Sequence, residues 1–329
     1  MAATAELPTV DVVCGVIWSR DGQYLLAQRP EGRIWAGWWE FPGGKIEAGE
    51  SAADAIAREL LEELGIRVTR ADPWLRRVFD YPHARVRLHF YQVRAWSGEP
   101  ACLEGQALHW QMPGSVCEVG PLLPANVPVL RALDLPCVFP VTPPPDVPHG
   151  EALRRVANTL RGDPPWRRHA NTSIHSSGGW LQIRRGEMRW AEWQDWRALC
   201  EDHSLLAIAN TAPDTAQTLG AEALHLSANH LAALDARPLF GKVGASVHHR
   251  AELERAAALG LDYVILGGVN HSASHPGRAG LGWTAWAQLA AWSPLPVYAI
   301  GGLNPDDLDA AQAAGASGIA MIGAAWGDS

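Results

Sequence analysis

The 329 residues lack several features that would assign a function class at once. There is no basic excess: 27 Lys and Arg against 35 Asp and Glu leave a formal net charge of −8. That argues against direct nucleic-acid binding, which needs a basic stripe to displace counterions. No basic leader is present in "MAATAELPTVDVVCGVIW", and its apolar run is short and broken by Asp11. It reads as a first strand, not a signal peptide or membrane span. The five cysteines (Cys14, Cys102, Cys117, Cys137, Cys200) form no CxxC pair. An odd, dispersed set reads as buried reduced thiols in a cytoplasmic protein without structural zinc. No Gly/Ser-rich linker interrupts the chain either, and "RALDLP" leads directly from one rhythm into another. The length favours two domains, placed at 1–134 and 135–329 and expected to abut.

The first part predicts an α+β fold, a mixed sheet carrying one principal helix. "VDVVCGVIWS" and "QYLLAQR" flank "RDG", a hairpin signal. "RRVFDY", "RVRLHFYQVRAW" and "LHWQM" read as further strands, and "VPVLRAL" as a short closing helix. From Pro136, short apolar runs with little alternation take over, as expected of strands buried on both faces. The runs are "CVFPVT", "WLQIRR", "LLAIAN", "ALHLS", "KVGASV", "YVILGG", "VYAIGG" and "GIAMIG". With helical patterns such as "AEWQDWRALCED" and "HRAELERAAALG" between them, they predict a (β/α)8 TIM-like barrel. Pro140 fits poorly inside the first of these strands. Residues 161–179, "RGDPPWRRHANTSIHSSGG", read as an inserted loop. Ser329 follows the eighth strand so soon that most of a last helix is missing, and the insertion or the first domain is expected to cover the seam beside that strand.

The segment "GGKIEAGESAADAIARELLEELGI" carries the chemistry. Ser51 can cap a helix, Asp54 stands three positions on, and Gly65 suits a left-handed terminus. Glu59, Glu62 and Glu63 lie at i, i+3 and i+4 on one face, where like charges weaken an isolated helix. A solvated face relieved by an Arg58–Glu62 pair is the plain explanation. The preceding loop favours another, because Gly43 and Gly44 permit close backbone approach and Glu50 adds a carboxylate. Several oxygen donors are what a hard divalent cation such as magnesium requires.

Gly44, Glu50, Arg58, Glu59, Leu60, Glu62, Glu63, Gly65 and Ile66 together reproduce Gly-x5-Glu-x7-Arg-Glu-U-x-Glu-Glu-x-Gly-U, where U is aliphatic. The chain resembles the Nudix hydrolases in this motif and, over residues 8–134, the MutT-type 8-oxo-dGTP diphosphatases. The resemblance implies a small-molecule nucleotide substrate and dependence on Mg2+, with Mn2+ as a substitute. It implies that the Gly43 carbonyl, Glu59, Glu62 and Glu63 hold the metal, with Glu104 of "EGQ" as a further carboxylate. Arg58 and Glu50 would orient the cluster. Arg29 would face the phosphates, Phe41 with Trp35, Trp38 and Trp39 would wall the base pocket, and Asn126 would read the oxidised purine. An amide suits a base whose N7 has become a donor beside its O6 acceptor, but Asn126 is equally a good N-cap for "VPVLRAL". Where the family has an arginine after a "YP"-type turn, this chain has Ala84 with Arg85 beside it. The implied reaction has Glu59 or Glu104 take a proton from a metal-acidified water, which attacks the β-phosphorus and releases a nucleoside monophosphate and pyrophosphate.

Residues 137–327 resemble thiamine phosphate synthase and its TenI-like relatives. Gln182, Arg184, Asn210, Ser246, Gly301 and Gly302 match the family pattern, and Gly323 opens the turn after "MIG", where such barrels cradle phosphate. Thr211 and His230 replace two aspartates, and Gly186 replaces a lysine. Ser272, Ser274 and His275 replace Thr-x-Thr-Lys, and Gly268 stands where the tautomerases have a catalytic histidine. These departures predict a phosphate-binding or architectural barrel without synthase activity. His225, His230, His248, His249, His271 and His275 show no metal-ligand spacing. Two alternatives stay open: hydrolysis of thiamine diphosphate analogues, and a barrel that senses a phosphorylated ligand without catalysis. The oligomeric state is not legible.

Overall fold

The computed structural model describes residues 8–327 except 83, 134, 163, 165, 168–178 and 271–279. The chain divides into two compact units, Met1–Leu133 and Asp134–Ser329. No helix among the described residues is long and apolar enough to cross a membrane.

The first unit runs β1 (Thr9–Ile17), β2 (Tyr24–Gln28), β3 (Trp39–Glu40), α1 (Ala52–Leu64), β4 (Arg67–Tyr81), β5 (Ala84–Ser97), β6 (Leu108–Gln111) and α2 (Val127–Leu133). A mixed sheet has the order β1-β5-β4, with β1 parallel and β4 antiparallel to β5. A second sheet, β3-β2-β6, is antiparallel. The "RDG" turn forms, with Ser19 N–H donating to Gln23 O at 2.8 Å. The strands it joins nevertheless meet at only one bridge, Trp18 to Tyr24, and then enter different sheets. β1 is buried on both sides, since Cys14 and Val16 belong to one apolar cluster while Val13 and Ile17 belong to another. β4 starts at Arg67, nine residues earlier than "RRVFDY" suggested. Its polar first half and Pro73 are tolerated because β4 is an edge strand, and register shifts fall between Val68 and Leu75.

α1 forms as its capping residues predict. The Ser51 hydroxyl accepts the Asp54 N–H at 3.1 Å, and Gly65, at φ 71°, returns its N–H to Leu61 O at 3.0 Å. Ala55, Ile56, Leu60 and Leu64 form its buried face, each of the larger three stabilising the unit by about 1.5–3 kcal/mol. Gly15 of β1 lets that face close on the sheet, because a Cβ there would stand 3.0 Å from a Leu60 methyl. The glutamates are thereby turned to the opposite, open side.

The second unit contains eight parallel strands, β7 (Val138–Pro140), β8 (Trp180–Ile183), β9 (Leu206–Asn210), β10 (Ala223–Leu226), β11 (Lys242–Val247), β12 (Tyr263–Leu266), β13 (Val297–Ala299) and β14 (Gly318–Met321). They follow the eight runs read from the sequence. Each of β8 to β13 pairs with its successor, β14 pairs with β7, and a Val141–Gln182 bridge joins β7 to β8 and closes the barrel. The helices between them are α3 (His149–Arg161), α4 (Trp190–Asp202), α5 (Pro213–Leu219), α6 (Ala228–Ala232), α7 (Arg250–Ala258), α8 (Gly282–Ala290) and α9 (Leu308–Ala313). Among the described residues, β14 is followed only by the 3-10 turn Gly323–Ala325.

Pro140 is accommodated by register. Val141 N–H bonds Met321 on the β14 side and Thr142 N–H bonds Gln182 on the β8 side. Alternation therefore points the Pro140 nitrogen toward β8, just ahead of the first bond there. The end of the barrel is fastened by tryptophans: Trp326 Nε1 donates to Val141 O at 2.7 Å, and Trp166 Nε1 donates to Ala325 O at 3.3 Å. Trp166 belongs to the inserted segment, so its described part does cover the stretch that follows β14. Inside the barrel, Phe139, Tyr263 and Tyr298 pack edge to face. Gly244 makes room for the Tyr263 ring, whose nearest carbon would lie 2.1 Å from a Cβ at that position.

Candidate active site

The open face of α1 is organised around Arg58. Its Nε and Nη2 grip both oxygens of Glu50 at 2.8 and 2.9 Å, and Nη1 reaches Glu59 at 2.9 Å and Glu62 at 3.2 Å. Nη2 also donates to Lys45 O at 3.1 Å, tying the helix to the preceding loop. Glu59 lies against the backbone at Gly44, where a Cβ would be 2.3 Å from its carboxylate. Gly43, at φ 144°, has no space for a Cβ either, since Val13 O would be 2.1 Å away. Its N–H donates to Glu63 at 3.1 Å. The two glycines thus bring Glu59 and Glu63 onto main chain.

Glu63 is pushed up to about 8, first by burial and then by the charges of Glu40, Glu104 and Glu59. Burial also raises Glu59, against the opposing pull of Arg58. Glu104 sits on the β5–β6 connection, where its N–H bonds the Gln106 side chain at 2.9 Å and Gln106 donates to Glu63 O at 3.2 Å. Its carboxylate lies 3.5 Å from Arg33.

Oxygen donors this crowded fit a divalent cation, which would offset both the burial of Glu63 and the charges of its neighbours. As they stand, no group of three or more His, Cys, Asp or Glu side chains among the described residues is arranged to hold a metal ion. Arg58 occupies Glu59 and Glu62, the Gly43 N–H occupies Glu63, and Arg33 occupies Glu104. A cation has to compete with those partners.

Two residues of this cluster escaped sequence reading. Glu40, on β3, pairs with Arg29 Nη1, and burial raises its carboxyl above the usual range. Its signal was its place just ahead of "FPGG", four positions before Gly44, where the motif begins. Gln106 gave no signal beyond its neighbourhood to Glu104. Arg29 itself also donates from Nε to Ile34 O at 2.8 Å, so it holds the β2–β3 loop together.

Toward α2 lies the expected base end. Asn126 is 3% exposed, and its Oδ1 has no hydrogen-bond partner. Helix α2 is capped by the Asn126 carbonyl, which accepts from Val129 and Leu130, so the side chain does not act as the N-cap. Tyr81 is hydrogen-bonded to the Ala125 backbone and feels the Glu40 charge, which links this end to the carboxylates. Phe41 is 1% exposed and packs against Tyr24 and Phe90 in the core. Arg85 pairs with Asp80 through two bonds of 2.7 and 2.8 Å at the β4–β5 end.

The barrel residues gather at the strand ends. Ser246 Oγ lies 2.9 Å from His225 Nε2, and His225 Nδ1 lies 3.2 Å from the Tyr263 hydroxyl. Burial, aided by Arg184, pushes His225 down to about 3, so its ring is neutral at pH 7. Gln182 is buried with an unpartnered Oε1, and the Arg184 N–H bonds the Thr142 hydroxyl at 2.9 Å. Asn210 is in register with His225. Gly301 and Gly302 have φ of 114° and 60° beside Gly268, and Gly323 opens the turn after β14. Ser272 and Ser274, with His271 and His275, lie outside the described residues.

The first unit thus carries a carboxylate-lined helix behind a Gly-Gly loop, and the second is a closed parallel barrel. Residues 13–132 match the NUDIX domain family, and residues 155–325, just over half the chain, match the thiamine monophosphate synthase family. The 8-oxo-dGTP diphosphatase of Haemophilus influenzae is 40% identical over 124 residues, 38% of this chain and 90% of that protein. The CTP pyrophosphohydrolase of Escherichia coli is 41% identical over 123 residues, 37% of this chain and 90% of that protein. A thiamine-phosphate synthase of Prochlorococcus marinus is 34% identical over 164 residues, 48% of this chain but only 46% of that protein. The chain belongs to the Nudix hydrolases and carries a C-terminal domain of the thiamine monophosphate synthase family.

Proposed function

We propose that the Nudix unit hydrolyses oxidised purine nucleoside triphosphates, converting 8-oxo-dGTP to 8-oxo-dGMP and pyrophosphate and so clearing the nucleotide pool. The observation that carries the base assignment is Asn126. A buried amide oxygen without a partner costs about 1–3 kcal/mol, and a purine whose N7 carries a proton offers the donor that would repay it. The relatedness to an 8-oxo-dGTP diphosphatase supports the same substrate.

Glu59, Glu62, Glu63, Glu104 and the Gly43 carbonyl would hold Mg2+, or Mn2+ in its place, which supplies charge neutralisation of the triphosphate and acidifies a water. Glu59 or Glu104 would accept a proton from the attacking water. Oxygen attacks the β-phosphorus, the bond to the α–β bridging oxygen breaks, and the nucleoside monophosphate leaves. Arg58, itself held by Glu50, keeps Glu59 directed at the site. For the barrel we propose binding of a phosphate-bearing ligand at Arg184, Gly301, Gly302 and Gly323, without synthase activity.

Steady-state hydrolysis by the full chain of 8-oxo-dGTP, dGTP, CTP and thiamine diphosphate tests the substrate. A preference for CTP or thiamine diphosphate over 8-oxo-dGTP would overturn it. Glu59→Gln is expected to abolish turnover while the thermal transition persists. Calorimetry with thiazole phosphate, thiamine phosphate and pyrophosphate tests the barrel, and absence of heat with all three would reject binding there.

A further inference from the structure

The hydrogen bonds of the β2–β3 loop separate the roles of its two arginines. Arg29 is committed to protein partners, through Nε to Ile34 O and Nη1 to Glu40. Arg33, four residues on, has a side chain 63% exposed, and its contact with Glu104 is long at 3.5 Å. An exposed pair of that length holds its partners by well under 1 kcal/mol, so the guanidinium can be taken over by a stronger anion. The loop between them is tightly built: Gly37 N–H bonds Arg29 O at 2.9 Å, and Ala36 N–H bonds Arg33 O at 3.1 Å. Trp35 is held at φ 64° and packs edge to face on Trp38. Arg33 therefore projects from a fixed turn, not from a loose tether.

Its position along the site gives it a role. Tyr81, hydrogen-bonded to the Ala125 backbone next to Asn126, feels the Glu40 charge; Glu63 feels both Glu40 and Glu104; and Arg33 meets Glu104 at 3.5 Å while also acting on Glu40. A nucleotide with its base at Asn126 and its phosphates at the carboxylates places its last phosphate at the Glu104 end. We propose that Arg33 binds the terminal phosphate of the substrate, exchanging Glu104 for it, and sets the preference for nucleoside triphosphates over diphosphates. This rests on the base and phosphate placement of the proposed function. The planar fork of arginine suits a phosphate with two free oxygens, and such a charge-assisted pair stabilises more than the long Glu104 contact it replaces.

The test compares kcat/KM of the full chain on 8-oxo-dGTP and 8-oxo-dGDP for wild type, Arg33→Ala and Arg33→Lys. Freeing Glu104, or loosening the loop, would lower both substrates together. Loss of a terminal-phosphate contact changes their ratio. The triphosphate-to-diphosphate ratio is expected to fall about tenfold or more in Arg33→Ala and to recover in part in Arg33→Lys. An unchanged ratio in Arg33→Ala, whether both rates fall or neither does, overturns the proposal. The substrate reading fails separately, on wild type alone: should CTP be preferred, the same ratio is taken on CTP and CDP and decides Arg33 in the same way.

Discussion

Glu63 makes the stability of the metal-free protein depend on pH in an unusual direction. Its carboxyl is raised from 4.5 to about 8, which at about 1.4 kcal/mol per pH unit bounds the cost of ionising it in the folded chain at about 5 kcal/mol. Neighbouring carboxylates share the adjustment, so about 2–3 kcal/mol is the working figure. Because the folded value lies above the unfolded one, the favourable contribution is complete below pH 4.5 and is lost as pH rises through about 8. In EDTA, the thermal transition of the first unit should fall by about 5–10 °C between pH 5 and 8.5, taking about 2–4 °C per kcal/mol for a unit of this size. Glu63→Gln, neutral throughout, should remove that slope. Adding Mg2+ at pH 8.5 should restore more stability to wild type than adding it at pH 5. The decisive quantity is the difference in Tm between Glu63→Gln and wild type. If that difference is flat from pH 5 to 8.5, the account of Glu63 as a carboxyl desolvated and crowded by its neighbours is wrong.

Gly44→Ala places a methyl 2.3 Å from the Glu59 carboxylate, the mobile end of a side chain; turnover should fall about a hundredfold with Tm nearly unchanged. Gly244→Ala drives a methyl to within 2.1 Å of the buried Tyr263 ring, and calorimetry should record a loss of about 3 kcal/mol from the barrel. His225 is depressed to about 3 in the folded barrel, so its contribution is present above about pH 6.5 and lost as pH falls toward 3. His225→Gln should therefore flatten the acid limb of the barrel's stability, measured by urea denaturation at several pH values.

Local geometry carries the parts that the residues announced by themselves. The i, i+3, i+4 spacing of Glu59, Glu62 and Glu63 puts them on one face of any helix, and Ser51 and Gly65 set its ends wherever it packs. The eight apolar runs of the barrel were legible because a strand buried on both faces must be apolar along its whole length. β4 was only half legible, since an edge strand tolerates Pro73 and polar residues that argue against a strand in isolation. Asn126 could have been a side-chain cap or a ligand group, and only the packed chain shows that its carbonyl takes the first helix bonds and its Oδ1 is left unpartnered. The pairing of Arg29 with Glu40, of Arg33 with Glu104, and of Ser246 with His225 and Tyr263 has no local signature at all. Those contacts join residues from different strands and loops, and their distances follow from sheet order and register, which no short stretch of sequence contains. The amino-acid order thus fixed which charges share a helix face and which runs must be buried, while tertiary packing alone chose the partners that hold each charge in place.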